Sequence, residues 1–162
     1  MTTLALAALV LRLQGLPVTA GPAEVHARLL AATIAEEAER FDLPAELVAA
    51  VIQHESGFRR DAVGALGEIG YLQLKRGTLA TRGFDHLSDA GLRQPRINIH
   101  LGARHLAHVR ALCGNAPPVA WLSVYSGRKH CRPSPYSRAI LRLLIAASTT
   151  RIRVTTKEVA AR

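Results

Sequence analysis

The sequence predicts an all-α fold, and three observations support this prediction. Only 4% of the 162 residues are aromatic, 49% are hydrophobic, and Ala and Leu are the most abundant types. Ala and Leu favour helices, whereas β-branched residues rarely alternate with polar ones as they would along a half-buried strand. A chain of this length and apolar content is expected to form one domain around a sizeable core.

Apolar residues recur at the spacing of a helix in five segments. These segments are residues 23–40, a helix that begins after Pro44, a helix opened by Pro95, a short helix over 119–124 and a last helix from Pro135 to about residue 147. Residues 57–70 contain four glycines and show no helical spacing, so we expect an irregular, tightly turned loop there. For residues 80–94 we predict loop with one helical turn.

Glu55 is the residue that departs most from its surroundings. It lies in the helix after Pro44, and the helical spacing of the apolar residues within 47–52 places Glu55 on the same inward face. Burial raises the pKa of a carboxyl that lacks a compensating charge, so such a group can hold a proton near neutral pH and act as a general acid. Gly57 then ends the helix and brings Glu55 to an edge that a cleft can reach. The alternative is a polar residue at a frayed helix end.

The two ends of the chain differ from its middle. Residues 1–22 contain a short apolar run followed by small residues, so they are either a signal peptide or an ordinary amphipathic helix. Residues 23–148 are expected to form the domain, and residues 149–162 a polar, basic tail. No other apolar run is long enough to span a bilayer, so we predict no integral membrane segment in the mature protein.

The net charge of +9 predicts an anionic partner. Nucleic acid is the usual candidate, but the chain contains no helix-turn-helix signature, no zinc-finger spacing and no RNA-binding aromatic motif. Lys and Arg are scattered along the chain, and the bacterial cell wall is also polyanionic. We therefore predict no nucleic-acid partner, although the charge alone does not choose between these polyanions.

Cys113 and Cys131 fit no zinc or redox motif. In an oxidising compartment they would pair and close a loop of about twenty residues, which stabilises a fold by about 3 kcal/mol. The alternative is two free, buried thiols. We predict the disulfide, because the sequence gives the pair no other role.

Four motifs follow one another in a fixed order. They are Glu55-Ser56-Gly57, then Gly67-Glu68-Ile69-Gly70-Tyr71-Leu72-Gln73, then Asn98-Ile99 ahead of Gly102 and Leu106, and last Val124-Tyr125-Ser126-Gly127 ahead of Tyr136. Their order and spacing resemble the soluble lytic transglycosylases, the lysozyme-like enzymes that cut bacterial peptidoglycan. The resemblance covers about residues 31–146, and the four motifs in order are more specific than any one of them. It implies a lysozyme-like single domain with the Gly-rich loop beside the active-site cleft.

The resemblance implies a reaction that needs neither a metal nor an organic cofactor. In this family one Glu protonates the glycosidic oxygen between MurNAc and GlcNAc, and the acetamido group of the substrate is thought to attack the anomeric carbon. The deprotonated Glu then acts as a base on the C6 hydroxyl, and the product ends in 1,6-anhydroMurNAc. Glu55 matches this residue, and an acid that later becomes a base needs a raised pKa.

The resemblance also implies five substrate-binding residues. Ser56 would hydrogen-bond the acetamido group, Gln73 would line the sugar cleft, and Tyr71 would alter the wall of a subsite. Tyr125 matches the Tyr whose hydroxyl reaches the catalytic Glu, whereas Tyr136 matches a later Tyr near the site. The alternatives are local helix capping for Ser56 and a core aromatic for Tyr125.

A metal enzyme fits the sequence less well. His54-Glu55 would begin the zinc motif His-Glu-x-x-His, but Phe58 stands where the second His is required. One predicted helix carries three more histidines, and carboxylate or Cys ligands at matching spacing are missing. We therefore expect solvated surface side chains for these three: His100, His105 and His108.

Two other functions stay open. A muramidase of the same fold would hydrolyse the bond with water, and it would need a second carboxylate such as Glu68 or Asp61. A non-catalytic cell-wall-binding module is expected to lack Glu55 or Gln73, and both are present. We predict an enzyme that acts on the glycan strands of peptidoglycan in the periplasm or after secretion, with a role in a secretion system or phage apparatus left open.

Overall fold

The computed structural model of the protein describes residues 1–18, 21–114 and 116–146. Within these ranges the chain forms eight helices and, apart from two isolated bridges, no strand, which confirms the predicted all-α fold. The helices are α1 (Thr3–Leu13), α2 (Pro22–Arg40), α3 (Ala45–Ser56), α4 (Arg76–Ala80), α5 (Asp89–Leu92), α6 (Pro95–Leu112), α7 (Pro118–Tyr125) and α8 (residues 135–146).

Helix α3 lies at the centre of the domain. All of residues 47–52 are buried, because this helix is apolar on every side over that stretch. Helix α2 contacts α1, α3 and α6, and α6 also contacts α5 and α7. The catalytic candidate Glu55 therefore stands on the most enclosed helix of the fold, near its C-terminal end.

The N-terminal segment contributes to the core through α1. Four large side chains of this helix are buried in the same cluster as α2 and α3: Leu6, Leu9, Val10 and Leu11. Thr2 caps the start of this helix, because its Oγ1 accepts a hydrogen bond from the backbone N–H of Ala5. The predicted boundaries at residues 22 and 148 stay predictions, and the basic tail over 149–162 lies outside the described residues.

A left-handed glycine ends α3. Gly57 has φ 60° and ψ 36°, and its N–H donates to the carbonyl oxygen of Gln53. This conformation strains residues with a side chain, whereas glycine adopts it freely. The chain therefore turns away directly after Ser56, so that Glu55 lies at an edge of the core.

The segment between α3 and α4 is held against α6 by one buried amide. The Asn98 side chain, 0% exposed, accepts a hydrogen bond from the Leu72 N–H at 2.8 Å. Its Nδ2 donates to the carbonyl oxygens of Ile69 at 3.0 Å and Leu92 at 2.8 Å. Each such bond adds about 1 kcal/mol, and removing the amide would leave the Leu72 N–H without its partner, whereas the carbonyl oxygen of Ile69 would keep the bond from the Leu74 N–H.

The same segment packs directly onto α6 at Gly102. A Cβ built on Gly102 would lie 2.2 Å from Cδ1 of Leu72, so a larger residue there would displace the loop. Leu72 is itself fully buried. Asn98 and Gly102, one helical turn apart, together fix the loop's position on the helix.

A disulfide links two other parts of the fold. Cys113, which ends α6, is bonded to Cys131 in the segment ahead of α8, with the two Cα atoms 5.7 Å apart. It therefore ties the start of α8 to the end of α6. No helix in the described ranges combines the length and apolar character needed to cross a bilayer.

Candidate active site

A cleft of about 310 Å³ opens beside the end of α3. Residues from five helices and from the loop after α3 line it, although they are far apart in sequence. The lining includes four of the residues predicted for the site: Glu55, Gln73, Tyr125 and Tyr136. The fold therefore brings these four side chains together around one space.

Glu55 lies half-buried in this cleft, and its environment favours the protonated carboxyl. Burial is the main cause that raises its pKa, and the negative charge of Glu68 adds to it. A hydrogen bond from Tyr136 and the positive charge of Lys75 act in the opposite direction and are weaker. The net effect is a pKa above the ordinary value, as predicted for a general acid.

Tyr136 is the tyrosine that contacts Glu55. Its hydroxyl donates a hydrogen bond to Oε1 of Glu55. Its ring packs edge-on against His54, with the ring centroids 4.9 Å apart. Burial and the negative charge of Glu55 raise the pKa of Tyr136, so the hydroxyl keeps its proton and remains a donor.

The prediction that Tyr125 reaches the catalytic Glu is wrong. The Tyr125 hydroxyl donates instead to the carbonyl oxygen of Leu72 at 2.7 Å. The physical reason is the position of α7, whose C-terminal end faces the backbone of the loop, whereas α8 places Tyr136 beside the end of α3. Tyr125 still lines the cleft, where its hydroxyl holds the loop.

Gln73 lines the cleft and also shapes the loop that carries it. Its Nε2 donates to the carbonyl oxygen of Gly70 at 2.9 Å and to that of Ala62 at 3.3 Å. Its φ of 45° lies in the left-handed region, which a residue with a side chain seldom adopts. Strain of this kind persists where surrounding contacts enforce it and often accompanies a binding site.

Two predicted substrate-binding residues lie away from the cleft lining. Ser56 is buried, and its hydroxyl donates to the carbonyl oxygen of Ile52 one turn earlier in α3. Tyr71 is buried in the main core cluster, 1% exposed. The structure therefore gives Ser56 a bond within its own helix and gives Tyr71 a packing role.

The cleft contains a second carboxylate, that of Glu68. Its Oε1 lies 3.4 Å from Nζ of Lys75, and its Oε2 accepts the backbone N–H of Leu66 at 3.0 Å. Backbone hydrogen bonds, first from its own N–H and then from Leu66, hold its pKa below the ordinary value, and Lys75 assists. Glu68 and Glu55 thus have pKa values shifted in opposite directions within one cleft.

The prediction of three solvated histidines on α6 is wrong for His105, which is half-buried and lines the cleft. His108 is exposed, as expected. The His100 side chain is 37% exposed, and its Nδ1 lies 2.8 Å from Oε2 of the buried Glu37. The helical spacing indicated that His105 faces inward, because His105 follows the buried Gly102 by three residues on the same helix. No cluster of three or more metal-binding side chains occurs in the described ranges.

Comparison with known proteins identifies the family. The family model of the transglycosylase SLT domain matches residues 32–131 of the sequence. Among solved structures, an inactive mutant of the lytic transglycosylase Slt from Pseudomonas aeruginosa matches with a TM-score of 0.53 and 21% identity. This match covers 74% of the chain and 24% of that protein, so the chain spans about a quarter of its length. Curated protein sequences gave no match.

These comparisons agree with the resemblance inferred from the four motifs. The likeness in structure shows the fold, and it confirms the lysozyme-like, all-helical domain expected from the sequence. The family match covers well over half of the chain and includes Glu55, the loop, α6 and α7. The chain belongs to the transglycosylase SLT domain family.

Proposed function

We propose that this domain is a peptidoglycan lytic transglycosylase. It cleaves the β-1,4 bond between MurNAc and GlcNAc without water and leaves 1,6-anhydroMurNAc, with Glu55 as acid and then base. The observation that carries the proposal is the half-buried Glu55 carboxyl in the cleft, whose pKa is raised and whose Oε1 accepts a bond from Tyr136. Membership of the SLT family supports peptidoglycan as the substrate.

The acid step follows from the two oxygens of Glu55. Because Oε1 accepts the Tyr136 hydroxyl, the carboxyl proton resides on Oε2. The raised pKa favours the protonated carboxyl, so that Glu55 can give this proton to the glycosidic oxygen. The bond to the anomeric carbon then breaks while the substrate's acetamido oxygen attacks that carbon, so no second protein carboxylate is needed.

The base step uses the same side chain. After giving up its proton, Glu55 is an anion that accepts a hydrogen bond from the Tyr136 hydroxyl and is stabilised by the positive charge of Lys75. Both contacts lower its pKa, which offsets part of the cost of the charge in a partly dry site. The carboxylate then removes the proton of the C6 hydroxyl, and Glu55 regains its proton. The C6 oxygen bonds to the anomeric carbon while the bond from the acetamido oxygen to that carbon breaks, which closes the 1,6-anhydro ring and restores the acetamido group.

The proposed location is outside the cytoplasm. Peptidoglycan lies there, and the disulfide between Cys113 and Cys131 persists in an oxidising compartment. The net charge of +9 suits a polyanionic wall. The Pseudomonas neighbour is named as an inactive Glu-to-Gln mutant of a lytic transglycosylase, which supports a test at the corresponding kind of residue.

The test is mass spectrometry of the fragments released from purified peptidoglycan by the wild type, Glu55→Gln and Glu46→Gln. Glu46 is an exposed carboxylate in the first turn of the same helix, so it controls for a loss of charge on α3. We expect anhydro ends from the wild type and Glu46→Gln and none from Glu55→Gln. Anhydro ends from Glu55→Gln at the wild-type rate would refute the proposed role of Glu55.

Hydrolysis by a muramidase is the second candidate, because Glu68 supplies another carboxylate in the same cleft. Its low pKa leaves it ionised, as a base that activates water must be. However, both of its oxygens are occupied, one by Lys75 and one by the Leu66 N–H. Asp61, the other candidate, is not part of the cleft lining. Reducing MurNAc ends that disappear in Glu68→Gln would establish the hydrolytic reaction instead.

A further inference from the structure

His105 is a cleft residue that the proposed reaction leaves unused. It projects from α6 into the cleft wall, and its ring centroid lies 5.0 Å from that of Tyr125. On another side, its Nδ1 lies 3.2 Å from Nη2 of Arg82, a residue just after α4. Two neighbours from different elements thus hold the imidazole in one orientation.

The contact with Arg82 determines which ring nitrogen of His105 carries the proton. A guanidinium can only donate hydrogen bonds, so Nδ1 of His105 must be the acceptor and carry no proton. A neutral imidazole has one N–H, which is then on Nε2. Burial, followed by the charges of Arg82 and His108, lowers the pKa of His105 to about 4, which agrees with a neutral ring.

The Nε2–H of His105 has no hydrogen-bond partner among the residues that the structure describes. The two ring nitrogens point in widely different directions, so Nε2 faces away from Arg82. The positive charge of Arg82 against Nδ1 favours an electron-rich oxygen opposite the Nε2–H. The wall therefore presents one oriented, neutral donor to whatever occupies the cleft.

We propose that His105 is a specificity-determining residue whose Nε2–H donates a hydrogen bond to an amide carbonyl oxygen of the bound peptidoglycan. The inference rests on the proposed function, since it takes the substrate class from there. Peptidoglycan offers this chemistry in two places, the acetamido groups of its sugars and the amide bonds of its stem peptides. His105 acts in binding and takes no part in the proton transfers of Glu55.

Two substitutions separate the donor of His105 from its contact with Arg82. In His105→Asn the side-chain oxygen falls near the position of Nδ1 and keeps a partner for Arg82, but the cleft donor is lost. In His105→Gln the amide nitrogen falls near the position of Nε2 and keeps the donor. The variants are made in the Glu55→Gln background, where bound substrate is not turned over, and their affinity for purified peptidoglycan is measured by co-sedimentation.

We expect His105→Asn to weaken binding about 3- to 10-fold, the usual value of one neutral hydrogen bond, and His105→Gln to stay within about twofold of the parent. If His105→Asn binds as tightly as the parent, or if His105→Gln is the weaker of the two, His105 serves only to hold Arg82 and the proposal is overturned. A repeat with glycan strands freed of their peptides locates the oxygen: a persisting defect assigns it to the acetamido group, and a vanishing defect to the stem.

A measurement on the unmodified ring covers the case in which a variant does not fold. Long-range ¹H–¹⁵N correlation spectra report the tautomer of His105, and we expect a proton on Nε2 whose signal shifts when soluble peptidoglycan fragments that carry stem peptides are added. A proton on Nδ1, or an unchanged signal at saturating fragment, would overturn the proposal. Failure of the proposed function looks different: the wild type would release no anhydro product while His105→Asn still weakened binding.

Discussion

Glu55 and Glu37 are both glutamates with limited exposure at the border of a cavity, yet their partners differ. Glu37 lies on α2, 4% exposed, beside a groove of about 340 Å³, and its Oε2 contacts His100 Nδ1 at 2.8 Å and Arg40 Nε at 3.2 Å. Glu55 has a neutral tyrosine hydroxyl as its direct partner. Burial alone therefore does not mark a candidate catalytic carboxyl. Among the residues that the structure describes, Glu55 has no ion pair, and this separates it from Glu37.

The largest expected difference between the two glutamates is in activity. Glu55→Gln should lower kcat/KM for release of anhydromuropeptides by about a thousandfold, as expected for loss of a general acid. Glu37→Gln should stay within about threefold of the wild type per folded molecule, because Glu37 does not line the cleft that contains Glu55. Equal losses of kcat/KM in the two variants, measured at matched folded fractions, would contradict the distinction between the two glutamates.

The same substitutions should change stability in opposite directions. Glu37→Gln removes the charged partner of Arg40 and His100 and should lower the free energy of unfolding by about 1–3 kcal/mol. Glu55 has a folded pKa above its ordinary value of 4.5, so the stability it contributes is full below that value and is lost as the pH rises through the folded pKa. Glu55→Gln cannot ionise, so its stability relative to the wild type should increase from pH 4 to pH 8.

Urea unfolding at pH 4, 6 and 8 measures both effects. A constant difference between Glu55→Gln and the wild type over this range would mean that the carboxyl has the same pKa in the folded and unfolded chains. That result would remove the electrostatic distinction between the two glutamates.

A smaller effect is expected when Glu55 loses its neutral partner. Tyr136→Phe removes a hydrogen bond that lowers the pKa of Glu55, so that pKa should rise further. The alkaline limb of the kcat/KM profile, which reports loss of the acid proton, should then move to higher pH, and the rate at the optimum should fall about tenfold because the carboxylate loses its donor. A limb that moved to lower pH would contradict the assigned role of Tyr136.

The smallest effects should come from the more distant charges, and their signs should be opposite. Glu68→Gln removes a negative charge that raises the pKa of Glu55, so the alkaline limb should move to lower pH. Lys75→Gln removes a positive charge that lowers it, so the limb should move to higher pH. Lys75 is 49% exposed, so its effect should weaken as salt is added. Shifts in the same direction for both variants would exclude simple electrostatic coupling to Glu55.

How much of the site could be predicted depended on whether its geometry is local. The inward position of Glu55 follows from the spacing within one helix, so the sequence contained it. The roles of Tyr125 and Tyr136 depend on how α7 and α8 pack, and the sequence named both tyrosines without revealing which one meets the carboxyl. The pairing of His105 with Arg82 joins two elements across 23 residues, and no periodicity encodes such a contact.

The fold, too, was predictable where its geometry is local and unpredictable where it depends on long-range contacts. The apolar spacing predicted the long helices, because each one buries a continuous face in the core. The shape of the loop after α3 could not be predicted from the sequence. Side-chain hydrogen bonds from α6 fix this shape, whereas a regular element is fixed by a repeating pattern of backbone hydrogen bonds. The Asn98 amide, for example, positions the loop wall through its bonds to Leu72 and Ile69.

The attachment of the loop to Asn98 divides it into parts with different freedom to evolve. Its base, residues 69–72, is bonded to α6, so an insertion there would displace Gln73 and the wall behind Glu55. Its tip, which includes Leu66 at 81% exposure, lies beyond those bonds. Changes at the tip can therefore remodel the rim of the cleft while the chemistry stays in place. Within one family, such a loop lets substrate preference diverge while the reaction is retained.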